Sequence, residues 1–272
     1  MMFASDLDRT LIYSKRALET LQSTTQDKMK AVEAKNGENV SFMTERSFQL
    51  LKELAENTLF VPVTTRTYEQ YERVFIFKKD IQVIYSVSSN GANIYYKGHK
   101  VEEWQKHVTK RLQIECLKKE LLLQKLEAFS FNGTLKIADN LFFYYILQSD
   151  ISRETKEMVV NLANSFGWKV SLQGRKLYFM PLPICKGEAI KFIQNREGIT
   201  TIAGAGDSVL DFPFLELSTK SFVPCHGELA AEREFSSTFY VTEKTGADAG
   251  EEIVEKVHEM FSTVKRQENV QR

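Results

Sequence analysis

The stretch Phe3–Leu11 reads F-A-S-D-L-D-R-T-L, and the prediction of the fold starts from it. Its apolar beginning, continued from Met1 and Met2, predicts a short buried parallel strand, and open α/β sheets bind ligands at the carboxyl ends of such strands. Asp6 and Asp8 lie at that end, and residues two apart share a face while the chain stays extended. We therefore expect the two carboxylates to converge if the chain remains extended, with a cation or a shared proton between them.

The composition is that of an ordinary soluble globular protein, with 272 residues of which 43% are hydrophobic and 26% are charged. Basic and acidic residues number 36 each, and a formal net charge of zero argues against bulk attraction to nucleic acid or to an anionic membrane. The cysteines have no metal-type spacing, so we expect free thiols in a reducing compartment. No signal-peptide pattern or bilayer-length apolar run is visible, and we expect a cytoplasmic protein.

Two parts of the chain alternate short apolar strands with helices, as a parallel sheet requires. Examples of these strands are Ile81–Val87 in the first part and Thr200–Ala203 in the second. Between the two parts, a helix followed by two strands occurs twice, which indicates an antiparallel α+β module. We predict an α/β protein in which residues 1–92 and 182–272 form a Rossmann-like parallel-sheet core and residues 93–181 form an inserted α+β domain.

Local signals place a hairpin and several helices. Asn36-Gly37 is a strong turn signal between the strand-like segments Lys28–Ala34 and Asn39–Met43, and this hairpin would be either a flap over the site or a surface decoration. Thr44 is predicted to cap the helix that follows it. Apolar residues at helical spacing predict further helices, which include Leu11–Thr24, His107–Phe129, Ser152–Phe166 and Gly250–Val264.

Four segments, in order along the chain, resemble the motifs of the haloacid dehalogenase-like (HAD) phosphohydrolases. Asp6-Leu7-Asp8-Arg9-Thr10 resembles the first motif, D-x-D-x-T, and Thr65 and Lys186 resemble the second and third. The stretch from Gly206 to Asp211, G-D-S-V-L-D, resembles the fourth motif. Asn90-Gly91-Ala92, followed by a large insertion, is similar to the Cof-type branch (subfamily IIB) with its C2-class cap, which includes sucrose-phosphate and mannosyl-phosphoglycerate phosphatases.

The resemblance implies a role for each motif residue. Asp6 would attack phosphorus, and Asp8 would protonate the leaving oxygen and then activate water. The cofactor would be Mg²⁺, a hard cation that prefers oxygen ligands. The implied metal ligands are Asp6, Asp8 through its backbone carbonyl, and Asp207, with Asp211 in close support. The implied phosphate-binding residues are Thr65, Arg66, Asn90 and Lys186, and Lys186 is also counted as catalytic.

The resemblance therefore predicts a Mg²⁺-dependent phosphatase that acts on a small phosphorylated metabolite, with a sugar phosphate as the favoured class. We expect a small-molecule partner, no nucleic acid and no membrane, and a homodimer as an option for the assembly. Two alternatives stay open. One is a phosphomutase of the same fold, which would retain the phosphoryl group, and the other is a non-catalytic protein that binds a metabolite.

Taken singly, the same residues have ordinary interpretations. An isolated aspartate before a helix is usually a cap, and a lone lysine is usually solvated. Arg9 and Arg66 stand where family members often carry glycine, and we hypothesise that they favour a substrate with a second anionic group. The alternative is that both arginines form outward ion pairs. His226 lies in a loop without ligand spacing, so we leave it outside the site.

Overall fold

The computed structural model describes residues 1–23, 28–231 and 239–270. The chain divides into two compact units, Met1–His99 with Lys186–Arg272, and Lys100–Cys185. The sequence places the inserted domain at residues 93–181, and the second compact unit begins and ends a few residues later. Within the described residues, no helix combines the length and the apolar character that a membrane crossing requires.

The elements follow one another in this order along the chain. The first unit begins with β1 (Met2–Ser5), β2 (Tyr13–Ser14), α1 (Lys15–Thr20), β3 (Met29–Lys35), β4 (Glu38–Thr44), α2 (Glu45–Asn57), β5 (Leu59–Pro62), α3 (Tyr68–Tyr71), α4 (Ile76–Lys79), β6 (Tyr85–Ser88) and β7 (Asn93–Tyr96), and β8 (His99–Lys100) lies at the junction. The second unit holds α5 (Glu102–Glu115), α6 (Lys119–Leu126), β9 (Gly133–Ala138), β10 (Phe142–Leu147), α7 (Arg153–Ser165), β11 (Trp168–Gln173) and β12 (Lys176–Pro181). The first unit then resumes with α8 (Lys186–Glu197), β13 (Ile202–Ala205), α9 (Phe212–Glu216), β14 (Lys220–Val223), α10 (Glu228–Ala231), β15 (Tyr240–Val241) and α11 (Gly246–Val270).

A five-stranded parallel sheet forms the centre of the first unit, in the order β15-β14-β13-β1-β5. β1 lies between β13 and β5, so that Ser5 pairs with Ala205 on one side and with Pro62 on the other. Every residue of β1 and β13 is buried, as expected for parallel strands covered on both faces. The predicted Rossmann-like core is confirmed.

Pro62 is tolerated inside β5 because its nitrogen faces away from β1. The amide of the next residue, Val63, donates to the Ser5 carbonyl at 2.7 Å, so the amide of Pro62 would point to the opposite side. On that side, the strand pairs with β6 beyond the proline, through the bridge between Val63 and Val87. The missing donor therefore removes no ladder hydrogen bond.

The predicted hairpin is confirmed as β3 and β4. Asn36 and Gly37 form its two-residue turn with φ values of 53° and 82°, a left-handed conformation that Asn-Gly adopts readily. Thr44 then caps α2, since its hydroxyl oxygen accepts the Ser47 amide at 3.0 Å. The Thr44 hydroxyl also donates to Glu251 of α11 at 2.6 Å, which joins the hairpin to the last helix.

The second unit has its own α+β core. Its sheet is antiparallel in the order β11-β12-β10-β9, and α7 packs against β11. Phe143 of β10 lies opposite Phe179 of β12, with the two rings stacked at 4.8 Å. Trp168 adds a third fully buried ring beside Phe143. These apolar residues share one face of the sheet, so the unit buries a core of its own.

The helix predicted over Gly250–Val264 was too short, since α11 runs from Gly246 to Val270, and two other helix predictions were wrong in extent. The segment predicted as a helix over Leu11–Thr24 contains β2, because Tyr13 pairs with Phe42 of β4. The helical part of this segment is α1, and Thr24 lies outside the described residues. The helix predicted over His107–Phe129 is two helices, α5 and α6. The chain is extended at Cys116, which lets Leu117 accept the Trp168 ring N–H at 2.8 Å. In both places, tertiary pairing overrides local helix propensity.

Candidate active site

The candidate site lies at the carboxyl ends of β1, β5 and β13. The Asp6 amide donates to the Ala205 carbonyl at 2.8 Å, which continues the pairing of β1 with β13 by one residue. The chain then turns, because the Leu7 carbonyl accepts the amides of Leu11 and Ile12 at 3.0 Å and 2.9 Å. Asp8 still forms a β-bridge with Ile12, and its charge contributes to the raised pKa of Asp6, so the two carboxylates stay close although they bond to different residues. The side chains of Asp6 and Asp8 enter different surroundings.

Lys186 joins two of the predicted acidic residues. Its Nζ donates to Asp6 Oδ1 and to Asp211 Oδ1, each at 2.6 Å, and only 1% of its side chain is exposed. Gly187 allows the start of α8 to pack closely against α9, because a Cβ at this position would lie 2.6 Å from the Pro213 carbonyl oxygen. A fully buried ammonium is tolerated because carboxylates neutralise it.

The fourth segment folds around its last aspartate. Asp211 Oδ2 accepts the amides of Asp207 and Ser208 at 3.1 Å and 3.0 Å, and the Ser208 hydroxyl at 3.0 Å. Gly206 leaves room for this carboxylate, because a Cβ there would lie 2.5 Å from the Asp211 Cβ. The G-D-S-V-L-D spacing is therefore that of a loop wrapped around a buried carboxylate.

Asp6, Asp207 and Asp211 could hold a metal ion, since each offers a carboxylate oxygen within 4.8 Å of the others. A set of carboxylate oxygens suits a hard divalent cation such as Mg²⁺. Both oxygens of Asp211 already accept hydrogen bonds, so Asp6 and Asp207 are better placed as direct ligands and Asp211 as their support. The Asp8 side chain is outside this cluster, and the contribution of its backbone carbonyl stays a prediction.

The proximity of these acids changes their ionisation. Burial, together with the charges of Asp211 and Asp8, raises the pKa of Asp6 to about 7, although Lys186 acts in the opposite direction. Burial and the neighbouring carboxylates also hold the pKa of Asp207 well above its usual range. When ionised, the three carboxylates carry more negative charge than one lysine neutralises, which is the electrostatic condition for binding a cation.

Asp8 is held by an arginine rather than by the lysine. Arg66 Nε and Nη2 donate to the two Asp8 oxygens, each at 2.7 Å. The Asp8 side chain is 51% exposed, whereas that of Arg66 is 10% exposed and also contacts the buried Glu33 at 3.0 Å. Burial opposes the charge of Arg66, but Asp8 and Glu33 more than offset it, and the pKa of the guanidinium is raised. Nε and Nη2 of Arg66 thus bind carboxylates of this chain, whereas its Nη1 has no hydrogen-bond partner among the described residues, and phosphate binding by Arg66 stays a prediction.

Thr65 and Asn90 lie in two loops that are joined to each other. The amide of Asn90 donates to the Thr64 carbonyl at 3.0 Å, and that of Ser89 donates to the Arg66 carbonyl at 2.7 Å. Asn90 is fully buried and has a φ of 59°, while Thr65 is partly buried. The loops after β5 and β6 thus form one support, and phosphate binding by these two residues stays a prediction.

His226 contacts the first motif, but by its position it supports the loop. Its Nε2 lies 2.9 Å from the Arg9 carbonyl oxygen, and its Nδ1 accepts the Gly246 amide at 3.2 Å. Burial lowers the pKa of His226 and favours the neutral ring, which can donate at one nitrogen and accept at the other. The ring holds the backbone at Arg9, where φ is 63°. A supporting role for His226 agrees with leaving it out of the proposed chemistry.

The sequence interpretation missed Glu33, which lies on β3 of the hairpin. It is 2% exposed, and its only sequence signal was a carboxylate within a strand that also contains apolar residues. The hairpin therefore contacts the site through Arg66. The alternative that it is only a surface addition without contact to the site is wrong. Thr10 of the first motif is also fully buried, and its hydroxyl has no hydrogen-bond partner among the described residues.

Comparison with known proteins identifies the fold. No protein-family model matches the sequence, and no curated protein matches it either. Among solved structures, a sucrose-phosphatase from Synechocystis sp., in complex with sucrose and phosphate, has a TM-score of 0.67 at 16% identity, covering 94% of this chain and 97% of that one. A phosphatase of the haloalkanoate (HAD) enzyme superfamily from Bacteroides thetaiotaomicron has a TM-score of 0.56 at 12% identity, covering 94% of each chain.

A third structure is a haloacid dehalogenase-like hydrolase protein from Bacillus subtilis, with a TM-score of 0.52 at 15% identity, covering 94% of this chain and 91% of that one. All three likenesses extend over nearly the whole chain, so they include both compact units. Within this fold, the first and fourth motif-like segments supply the carboxylates bonded to Lys186, which itself belongs to the third. The chain therefore has the fold of the HAD-like hydrolases.

Proposed function

We propose that this protein is a Mg²⁺-dependent phosphatase that hydrolyses a small phosphorylated metabolite through an aspartyl-phosphate. One observation carries the proposal: a buried lysine ammonium bonded to Asp6, beside an acidic cluster of Asp6, Asp207 and Asp211. This combination supplies an attacking carboxylate, a cation site and a fixed positive charge in one place. A bound Mg²⁺ would neutralise charge on the phosphoryl group.

The proposed reaction has two displacements at phosphorus. In the first, a bond forms from an Asp6 oxygen to phosphorus and the bond to the leaving oxygen breaks. That oxygen takes a proton from Asp8, which carries it on an oxygen lone pair that Arg66 does not use. In the second, water attacks the phosphoryl group, a proton passes to Asp8, and Asp6 and inorganic phosphate are released. Lys186 stabilises the oxygens of the transferring group, whose charge is spread in the transition state. Thr65 and Asn90 are the proposed further phosphate contacts.

A sugar phosphate is the favoured substrate class. The support is the likeness to the sucrose-phosphatase and to a trehalose-6-phosphate phosphatase related protein, which has a TM-score of 0.55 at 16% identity. The neutral net charge supports a small-molecule partner over nucleic acid or membrane. Three free cysteines, Cys116, Cys185 and Cys225, support a reducing compartment such as the cytoplasm.

The test is a panel of phosphorylated metabolites, assayed for phosphate release with Mg²⁺ and with a chelator. We expect Mg²⁺-dependent release, highest for one or more sugar phosphates. Isomerisation of a sugar phosphate without release would instead identify a phosphomutase. Binding of a sugar phosphate with neither reaction would identify a metabolite-binding protein.

A further inference from the structure

A group of charged side chains connects the β3–β4 hairpin to Asp8, and the motif-like segments account for only part of it. Glu33 is its centre: Ser41 donates to Glu33 Oε2 at 2.5 Å, and Arg66 donates to the same oxygen at 3.0 Å. Arg73 lies 3.1 Å from Glu33 Oε1. Arg66 in turn bonds both oxygens of Asp8. A continuous path of contacts therefore runs from the hairpin to a proposed catalytic side chain.

The backbone is irregular where this path starts. The β3–β4 register shifts on both sides of the pair between Glu33 and Ser41 and then returns to its earlier alignment. Such irregularities redirect side chains and are frequent beside active sites. The Ala34 amide also donates to the Arg73 carbonyl at 3.3 Å, so the backbone fixes this part of the hairpin against the segment that carries Arg73.

The path changes from buried to exposed as it approaches Asp8. Glu33 is 2% exposed, whereas half of the Asp8 side chain is open to solvent. A half-exposed carboxylate on a tight turn would otherwise sample several rotamers. The planar fork of Arg66 restricts both oxygens at once, and Glu33 restricts the fork from its buried side.

We propose that Glu33 is a positioning residue, which orients Asp8 through Arg66. This inference rests on the proposed phosphatase function, in which Asp8 donates the proton to the leaving oxygen. Glu33 itself touches neither of the proposed reacting residues Asp6 and Asp8. Its loss would therefore affect the protonation of the leaving group and leave the attack by Asp6 intact.

The first test uses two probes that differ in their need for that proton. p-Nitrophenolate leaves without protonation, whereas the alkoxide of β-glycerophosphate requires it. The quantity compared is kcat/KM, because it covers only the steps up to the first irreversible one and so excludes hydrolysis of the aspartyl-phosphate. For Glu33→Gln we expect a loss of about tenfold on β-glycerophosphate and less than about twofold on p-nitrophenyl phosphate.

Two further variants make this test specific. Glu38→Gln, the same substitution at an exposed position of the same hairpin, should leave both values unchanged. Arg66→Lys should repeat the selective loss, because a point charge cannot hold both Asp8 oxygens, and it covers the case in which Glu33→Gln fails to fold. An equal loss on both probes would show a merely structural role for Glu33 and would overturn the proposal, as would no loss.

The second test does not depend on activity. The Nε–H of Arg66, bonded to Asp8, should give a slowly exchanging resonance in nitrogen-edited NMR spectra of the full chain. Glu33→Gln should shift this resonance and speed its exchange with solvent, and Glu38→Gln should not. An unchanged Arg66 resonance would refute the positioning role even if the wild type releases no phosphate, in which case the proposed function fails separately.

Discussion

Two ion clusters lie at the carboxyl ends of the central strands, and each places one cation between two carboxylates. Lys186 binds Asp6 and Asp211 in a cluster that is at most 7% exposed. Arg66 binds Asp8 and Glu33 in a cluster that is open to solvent at Asp8. The ammonium is a compact point charge, whereas the guanidinium is a planar fork. The difference suggests that the lysine cluster supplies charge at the reacting atoms and the arginine cluster supplies orientation.

The largest expected effect comes from neutralising the attacking residue of the lysine cluster. Asp6→Asn should reduce phosphate release by about 10⁴-fold or more, because a carboxamide is a poor nucleophile at phosphorus. Phosphate release with Mg²⁺ measures the effect, and circular dichroism checks the fold. Asp80→Asn, at an exposed position, is the control. Mg²⁺-dependent turnover that persists in the Asp6 variant would refute the assignment of the nucleophile.

Replacing the positively charged side chain of each cluster should lower the free energy of unfolding by different amounts. Lys186→Met should cost about 3–5 kcal/mol of unfolding free energy at pH 8 without Mg²⁺, because it leaves Asp6 and Asp211 buried and unpaired. Arg66→Met should cost less, since Asp8 can turn to water and Glu33 keeps Arg73. Urea denaturation measures both costs.

Lys191→Met, on the exposed side of α8, is the matched control for this stability comparison and should change the unfolding free energy little. A smaller cost for Lys186→Met than for Arg66→Met would mean that the buried cluster does not need its cation, and the contrast drawn above would be wrong.

The pH dependence of Mg²⁺ binding should report on the lysine cluster alone. Burial and like charges raise the pKa of Asp6 to about 7, so below pH 7 the metal-free protein carries a proton on this ligand. The cation must displace that proton, and a further one where Asp207 is also protonated, so we expect affinity to fall by about tenfold or more per pH unit below 7. Calorimetric titration between pH 5.5 and 8 measures this, and affinity that is constant over that range would contradict it.

The smallest expected effect concerns Arg9 and Arg66, the two arginines of the second-anion hypothesis. Arg9 is 45% exposed and its Nε lies 3.7 Å from Asp207, while Arg66 is bonded to two carboxylates. We expect Arg9→Gly to raise KM for fructose 1,6-bisphosphate by about threefold more than for fructose 6-phosphate, the scale of an exposed ion pair. Arg66→Gly should lower kcat on both. Equal losses on both substrates for both variants would end the second-anion hypothesis.

The sequence predicts the lysine cluster better than the arginine cluster for a physical reason. Asp6, Lys186 and Asp211 follow strands or begin a helix within motif-like segments, so a local pattern identifies each of them. Glu33 has no such segment, since its contact with Arg66 depends on a register shift in the hairpin. The Arg66 contact with Asp8 likewise depends on a turn around Leu7 that the alternation of residues does not reveal.

The same limit applies to the elements. The Asn36-Gly37 turn and the Thr44 cap are set by neighbouring residues, and the structure confirms both. The break between α5 and α6 is set by Trp168, which is distant in sequence, and the spacing of apolar residues continues across it. Features that depend on local chemistry were therefore predicted, and those that depend on distant partners were not.

The position of β1 has a consequence for synthesis on the ribosome. β1 is made before both of its neighbours, and one of them, β13, follows only after the whole of the second unit. Until then the nascent strand has one unpaired edge, a state prone to aggregation. The sheet of the second unit consists of strands that are close in sequence, so this unit can fold before β13 has been synthesised and has paired with β1.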